Sequence, residues 1–185
     1  MRLMADKRLY LIAGCNGAGK TTMRESLLGR LHCHHWVSDD DIAYRLSPHA
    51  PEQAFVSAGR LMLERIEQLL AQGETFAIET TLAPRCFGRA VMQARQWGYE
   101  VNLLFFHLPS SQLAVSRVNQ RVSRGGRYVP AHVVERHYHA GLRNLKQLYM
   151  PLVDRWNIYT LEGGGYRLLA EGKQGESLES KKISI

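Results

Sequence analysis

The sequence predicts an α/β fold: a mostly parallel sheet with helices on both faces, in three α/β/α layers. Three observations carry this expectation. Short apolar runs alternate with amphipathic helical stretches along the 185 residues, the pattern of successive strand–helix–strand units. One run, Val101 to Leu108, is apolar almost without interruption, as a strand buried on both faces should be. The first run, Leu9 to Ala13, leads directly into Gly14-Cys15-Asn16-Gly17-Ala18-Gly19-Lys20-Thr21, and Thr22 to Leu31 then reads as a helix.

That glycine-rich stretch fits G-x-x-x-x-G-K-[ST], the Walker A phosphate-binding loop, in the strand–loop–helix context the motif requires. Glycines let the backbone curl so that successive N–H groups face one oxyanion. Lys20 supplies a cation for β and γ phosphates, Thr21 offers a hydroxyl to Mg²⁺, and the helix N-terminus faces the same anion. Gly14, Asn16, Gly17, Ala18, Gly19, Lys20, Thr21 and Thr22 are therefore the expected nucleotide-binding residues, with a nucleoside triphosphate and Mg²⁺ as cofactors, and the expected fold is that of a P-loop NTPase. The alternative, a glycine-rich turn with an exposed lysine, needs neither the strand nor the helix.

The remaining elements follow in order. His34 to Ser38 is a second short strand ending in Asp39-Asp40-Asp41. Glu52 to Gln72 is a long helix, with Phe55, Ala58, Met62, Ile66 and Leu69 at three- and four-residue spacing and Gly73 as its stop. Thr75 to Thr81 is a third strand; Pro84 and Gly98 bracket another helix. Beyond the fourth strand at Val101 to Leu108, Ser110 or Ser111 caps a helix to about Arg124, broken by Gly125-Gly126. A helix from Pro130 toward Leu148 is ended or kinked by Pro151. Asn157 to Leu161 and Tyr166 to Ala170, around Gly163-Gly164-Gly165, form a last strand pair. From Glu171 the chain turns polar, so a single domain over residues 1–172 followed by a mobile tail over 173–185 is expected, without repeats or linkers.

Composition bounds the function. Hydrophobic residues at 45% and charged residues at 22% are ordinary for a soluble globular domain, and no apolar run approaches a membrane span, so a cytoplasmic protein is expected. Three cysteines, Cys15, Cys33 and Cys86, with no C-x-x-C pair argue against a disulfide framework or a structural zinc site. The run His32-Cys33-His34-His35 has no second ligand cluster to complete a zinc site. A formal charge of +7, with 18 of 24 basic residues arginine, points to anionic partners, nucleotides or nucleic acid.

Asp40 and Glu79 both fall just past strand ends, where this fold class gathers its catalytic groups. Phosphoryl transfer needs a carboxylate to orient or deprotonate the attacking hydroxyl and often another to hold the metal through water; Asp40 is assigned the first role and Glu79 the second. The alternative for Asp39 to Asp41 is that they cap the helix at Ile42. Arg117, Arg121 and Arg124 share one helix face; it is either a solvated face or, beside Gly125-Gly126-Arg127 and Arg136, a closing lid that places charge on a transferring phosphoryl group.

With these residues in hand, the chain resembles the zeta-toxin family of P-loop kinases, particularly its short bacterial members, from Leu9 to about Gly172. The resemblance rests on Ala13 to Thr22, Asp40-Asp41-Ile42-Ala43, Phe76-Ala77-Ile78-Glu79-Thr80-Thr81-Leu82, Gly98-Tyr99, Arg117-Val118, Arg121-Val122, Gly125-Gly126, Val129-Pro130, Asn144-Leu145 and Leu152-Val153-Asp154. It implies Lys20 and Thr21 on ATP and Mg²⁺, Asp40 as catalytic base, and Glu79 near metal and substrate. It also implies Thr80 and Thr81 lining the acceptor pocket, and Arg121, Arg124 and Arg136 as lid arginines. The family's better studied toxins phosphorylate a sugar hydroxyl of UDP-N-acetylglucosamine and are held inactive by a small antitoxin. Cys15 stands where similar sequences carry proline, and Arg127 and His137 stand where short members show histidine and arginine. The expected function is an ATP-dependent kinase acting on a nucleotide sugar. The rivals are a nucleic-acid end kinase, and a nucleotide-dependent ATPase or switch acting through a partner.

Overall fold

The computed structural model describes residues 7–178 and 185. Its strands are β1 (Arg8–Ala13), β2 (His35–Val37), β3 (Phe76–Thr80), β4 (Glu100–His107), β5 (Arg155–Glu162) and β6 (Gly165–Lys173). They form one sheet in the order β2-β3-β1-β4-β5-β6. The first five run parallel, and β6 folds back antiparallel on β5. The helices are α1 (Lys20–Arg30), α2 (Asp39–Leu46), α3 (Phe55–Gln72), α4 (Phe87–Gln96), α5 (Ser111–Ser123) and α6 (Ala131–Asn144). This is the three-layer P-loop NTPase-like fold that the alternation of strands and helices predicts. Among the described residues no helix is long and apolar enough to cross a membrane.

Strand periodicity divides the core between the two faces. Leu9, Leu11 and Ala13 of β1 join Leu103 and Phe105 of β4 on one face, under Met62, Ile66 and Leu69 of α3 and Val91 of α4. Tyr10, Ile12, Leu104 and Phe106 point to the other face, under Leu27 of α1, Val118 of α5 and Tyr138 of α6. Because β1 and β4 are covered on both sides, Leu9–Ala13 and Leu103–Phe106 are apolar without a break.

Several boundaries differ from the sequence expectation. The helix expected over Glu52–Gln72 opens as a 3₁₀ turn at Pro51–Ala54 before α3 begins. The helix expected after Pro84 starts only at Phe87, and in the loop before it the Pro84 carbonyl accepts from the Tyr149 hydroxyl at 2.7 Å. The helix expected to run to Leu148 is regular only to Asn144 and widens into a π turn over Leu145–Tyr149. Pro151 lacks the N–H that would bond back along this turn. The polar stretch from Glu171 begins inside β6, where Glu171 pairs with Asn157 and Lys173 with Arg155. Leu178 beyond it is buried in the core. Residues 179–184 of the expected tail lie outside the described residues.

The C-terminal ends of β1, β2 and β3 open on one edge, and α6 fixes the loop after β3 there. Asn144 donates through Nδ2 to the carbonyls of Leu82 (2.8 Å) and Ala83 (3.0 Å). Gly141 lets the helix approach: a Cβ at that position would lie 2.5 Å from the Thr81 carbonyl oxygen. Gly141→Ala should therefore destabilise the fold by about 1–3 kcal/mol through overpacking. Gly29→Ala, a helical site with nothing within 4 Å of its Cβ, should be neutral or slightly stabilising. Denaturant unfolding of the two variants checks the contrast.

Candidate active site

The phosphate-binding loop is built by contacts that only small residues tolerate. Gly14 donates its N–H to the Thr80 carbonyl at 3.2 Å, and a Cβ there would meet the Phe106 carbonyl at 2.6 Å. Gly17 adopts φ +82° and would place a Cβ 2.8 Å from the Ala114 carbonyl. Gly19 ends the loop at the α1 N-terminus, which has no side-chain cap and no acidic residue in its first turn. That turn thus keeps its first N–H groups without a side-chain cap, as an anion-binding helix N-terminus requires.

Gly17, Gly19, Lys20, Thr21 and Thr22 line a cleft of ≈ 420 Å³ with Asn16, Asp40, Glu79, Arg117, Arg121 and Arg124. Gly14 and Ala18 shape the loop from inside. Lys20 donates from Nζ to the carbonyls of Gly14 (2.7 Å) and Cys15 (3.1 Å), which aims its amine along the loop. Cys15 points away into the apolar core, where burial pushes its thiol up to about 11. It therefore presents no thiolate to phosphate at neutral pH.

Thr21 Oγ1 donates to Glu79 Oε1 at 3.0 Å, and Trp36 Nε1 donates to Oε2 at 3.1 Å, so the carboxylate is held against the start of α1 from two sides. An alcohol oxygen and a carboxylate at this spacing form an oxygen-only donor set suited to Mg²⁺ with water completing its shell. Among the described residues no group of three or more His, Cys, Asp or Glu is gathered for a metal.

The acidic run divides its tasks. Ser38, not an aspartate, is the N-cap of α2, its Oγ accepting from the Asp41 N–H at 3.4 Å. The cue in the sequence is a serine directly before the run. Asp41 pairs with Arg24 at 2.5 Å, tying α2 to α1. Asp39 accepts from the Asp40 N–H at 2.9 Å; burial and then the Asp40 charge push its carboxyl up. Asp40 is left facing the cleft, and its Oδ1 accepts from Arg127 Nη1.

On the far side of Asp40 a second cavity of ≈ 350 Å³ opens, shared by Asn16, Lys20 and Glu79 and walled by Thr80, Thr81, Phe55, Phe87, Arg127, Arg136 and His137. The Thr80 and Thr81 hydroxyls accept from the Leu82 and Ala83 N–H groups, which locks the turn there. The structure thus separates the arginines. Arg121 and Arg124 line the phosphate cleft, whereas Arg136 belongs to the second cavity.

Three contacts have no counterpart in sequence spacing. Arg117 donates from Nε to the Gly17 carbonyl at 2.7 Å, so it braces the loop as well as lining the cleft. The Tyr166 hydroxyl donates to the Ala18 carbonyl. His137 Nδ1 lies 2.8 Å from Asn16 Oδ1, a contact that joins α6 to the loop.

A mostly parallel sheet with a glycine-rich loop after its first strand, cleft arginines on and just after α5 and a second cavity beside the loop defines a P-loop NTPase-like domain. The chain belongs to the AAA-domain family, whose model matches residues 9–148. It is 25% identical over 136 residues to an uncharacterized protein of Haemophilus influenzae, covering 74% of this chain and 95% of that one. A chain of the PezAT chromosomal toxin–antitoxin system of Streptococcus pneumoniae superposes with a TM-score of 0.65 at 16% identity, over 98% of this chain and 75% of that one. The AvrRxo1-ORF1:-ORF2 complex with ATP gives 0.71 at 18% identity, over 96% of this chain and 62% of that one. At these identities the structural likenesses establish the fold.

His137 makes the site sensitive to acid. Burial and then the Arg136 charge hold its pKa below the ordinary 6.5. Between the two values the unfolded chain binds more protons than the folded one, so stability falls as pH drops through 6.5 toward the folded pKa. Melting curves from pH 8 to 5 should show this loss, and His137→Gln should have a shallower acid slope than the wild type.

Proposed function

We propose that this chain is an ATP-dependent kinase that transfers the γ-phosphoryl group to a hydroxyl of a nucleotide sugar such as UDP-N-acetylglucosamine. One observation carries the reading: the phosphate cleft and the second cavity meet at Asn16, Lys20, Asp40 and Glu79. A donor in one and an acceptor in the other would bring γ-phosphate and hydroxyl to the same groups. The likeness in fold to a chain of a toxin–antitoxin system and to a complex with ATP accords with it, as does the zeta-toxin resemblance.

In this mechanism the loop N–H groups and Lys20 hold the β and γ phosphates, and Arg121 and Arg124 bring charge to the phosphoryl oxygens. Thr80, Thr81 and Arg136 contact the acceptor, and Asp40 takes the proton from its hydroxyl as the new O–P bond forms and ADP leaves. Thr21 and Glu79 are the residues that would hold Mg²⁺, which when bound neutralises charge across β and γ oxygens. A cytoplasmic setting and a small antitoxin partner belong to the same proposal.

The test is transfer of labelled γ-phosphate to a panel of nucleotide sugars. Asp40→Asn should lower transfer about 10²-fold or more while ATP binding is kept. Lys20→Ala should lose ATP affinity or turnover without loss of fold. Asp40→Asn at wild-type rate removes the base assignment. The +7 formal charge favours, as a second reading, an oligonucleotide end as acceptor. That reading expects oligonucleotide binding that weakens steeply with salt. Label released only as free phosphate favours the ATPase reading.

A further inference from the structure

The segment joining α5 to α6 runs between the two cavities, and Arg127 on it is tied to both. Its carbonyl accepts from Arg121 Nη2 at 2.9 Å, and Arg121 lines the phosphate cleft. Its side chain lines the second cavity, donates from Nη1 to Asp40 Oδ1, and lies with its guanidinium carbon 4.0 Å from the centroid of the Phe55 ring. The carboxylate that the kinase reading uses as its base is thus engaged by a cation from the acceptor side.

We infer that Arg127 is a positioning residue that discriminates water from acceptor: by engaging Asp40 Oδ1 it keeps the base from activating water, and an acceptor entering the cavity displaces it. The inference rests on the kinase reading. The reaction to be suppressed is hydrolysis, in which water attacks the γ-phosphorus, its proton passes to Asp40, and ADP and inorganic phosphate are the products. Water has no binding energy to spend on moving a guanidinium. An acceptor seated against Thr80, Thr81 and Arg136 does.

The geometry suits an exchange of this kind. The two side chains of the pair are 32% and 49% exposed, so the ion pair is a weak one. The guanidinium already lies over the Phe55 ring while it pairs with Asp40, a contact that does not depend on the ion pair. Gly125, at φ +84°, and Gly126 stop α5 by donating to the Val122 (2.9 Å) and Arg121 (2.8 Å) carbonyls, so Arg127 is the first residue beyond that fixed stop.

The experiment measures ADP formation from ATP and Mg²⁺ without acceptor in the wild type, Arg127→Gln, Arg127→Lys and the double variant Arg127→Gln/Asp40→Asn, with ATP affinity and melting temperature for each. Arg127→Gln should raise acceptor-free ADP formation about tenfold, within the range that general-base activation supplies. Arg127→Lys, which keeps the charge and loses the fork, should fall between. The double variant should abolish the rise, with ATP affinity and melting temperature unchanged throughout. Arg127→Gln hydrolysing no faster than the wild type while binding ATP normally overturns the inference and leaves the kinase reading standing. A rise that persists in the double variant overturns it too, because the effect then bypasses Asp40. No ADP from any variant, with or without the acceptor panel, removes the kinase reading and this inference together.

Discussion

The site depends on one constraint: the backbone must reverse between β1 and α1 while lying against β4 and α5. The Phe106 carbonyl stands 2.6 Å from any Cβ at Gly14, and the Ala114 carbonyl 2.8 Å from one at Gly17. Neighbouring backbone therefore sets the residue types of the loop as firmly as phosphate does. A side chain at either position would push the loop off the sheet and scatter the N–H groups that face the anion. Lys20, Thr21 and the first turn of α1 are aimed by that packing.

The second cavity has a different support. Thr80 and Thr81 lie on a turn held by Asn144 and approached closely by Gly141, both on α6, with Tyr149 just beyond. His137, on the same helix, reaches the phosphate loop at Asn16. One helix thus sets the spacing between the two cavities, and the π turn that follows it carries Tyr149 to the base of the β3 loop.

Much of this was legible in the sequence. The fold class followed from alternating strands and helices, and the loop from its motif between a strand and a helix. Asp40 followed from its position after a strand, whereas Glu79, expected just past a strand end, lies inside β3; both border the cleft. What escaped depends on partners far along the chain. Periodicity puts Arg117, Arg121 and Arg124 on one face yet is blind to which of them meets a loop carbonyl. The polar composition after Glu171 hid a strand, because backbone pairing with β5 is indifferent to which side chains face solvent. Arg136 was grouped with the other arginines by charge, and only the packing of α6 shows that it faces a separate cavity.

The hydroxyl of Tyr166 has a consequence for how the molecule comes into being. It grips the Ala18 carbonyl across 148 positions of sequence, and Arg117 reaches Gly17 across 100. A ribosome releases the chain from its N-terminal end, so the glycine loop emerges early and waits for both braces. Closing contacts of such separation is the slow part of folding. The nascent protein therefore carries its nucleotide motif long before it carries a nucleotide site, and the final hairpin turns one into the other.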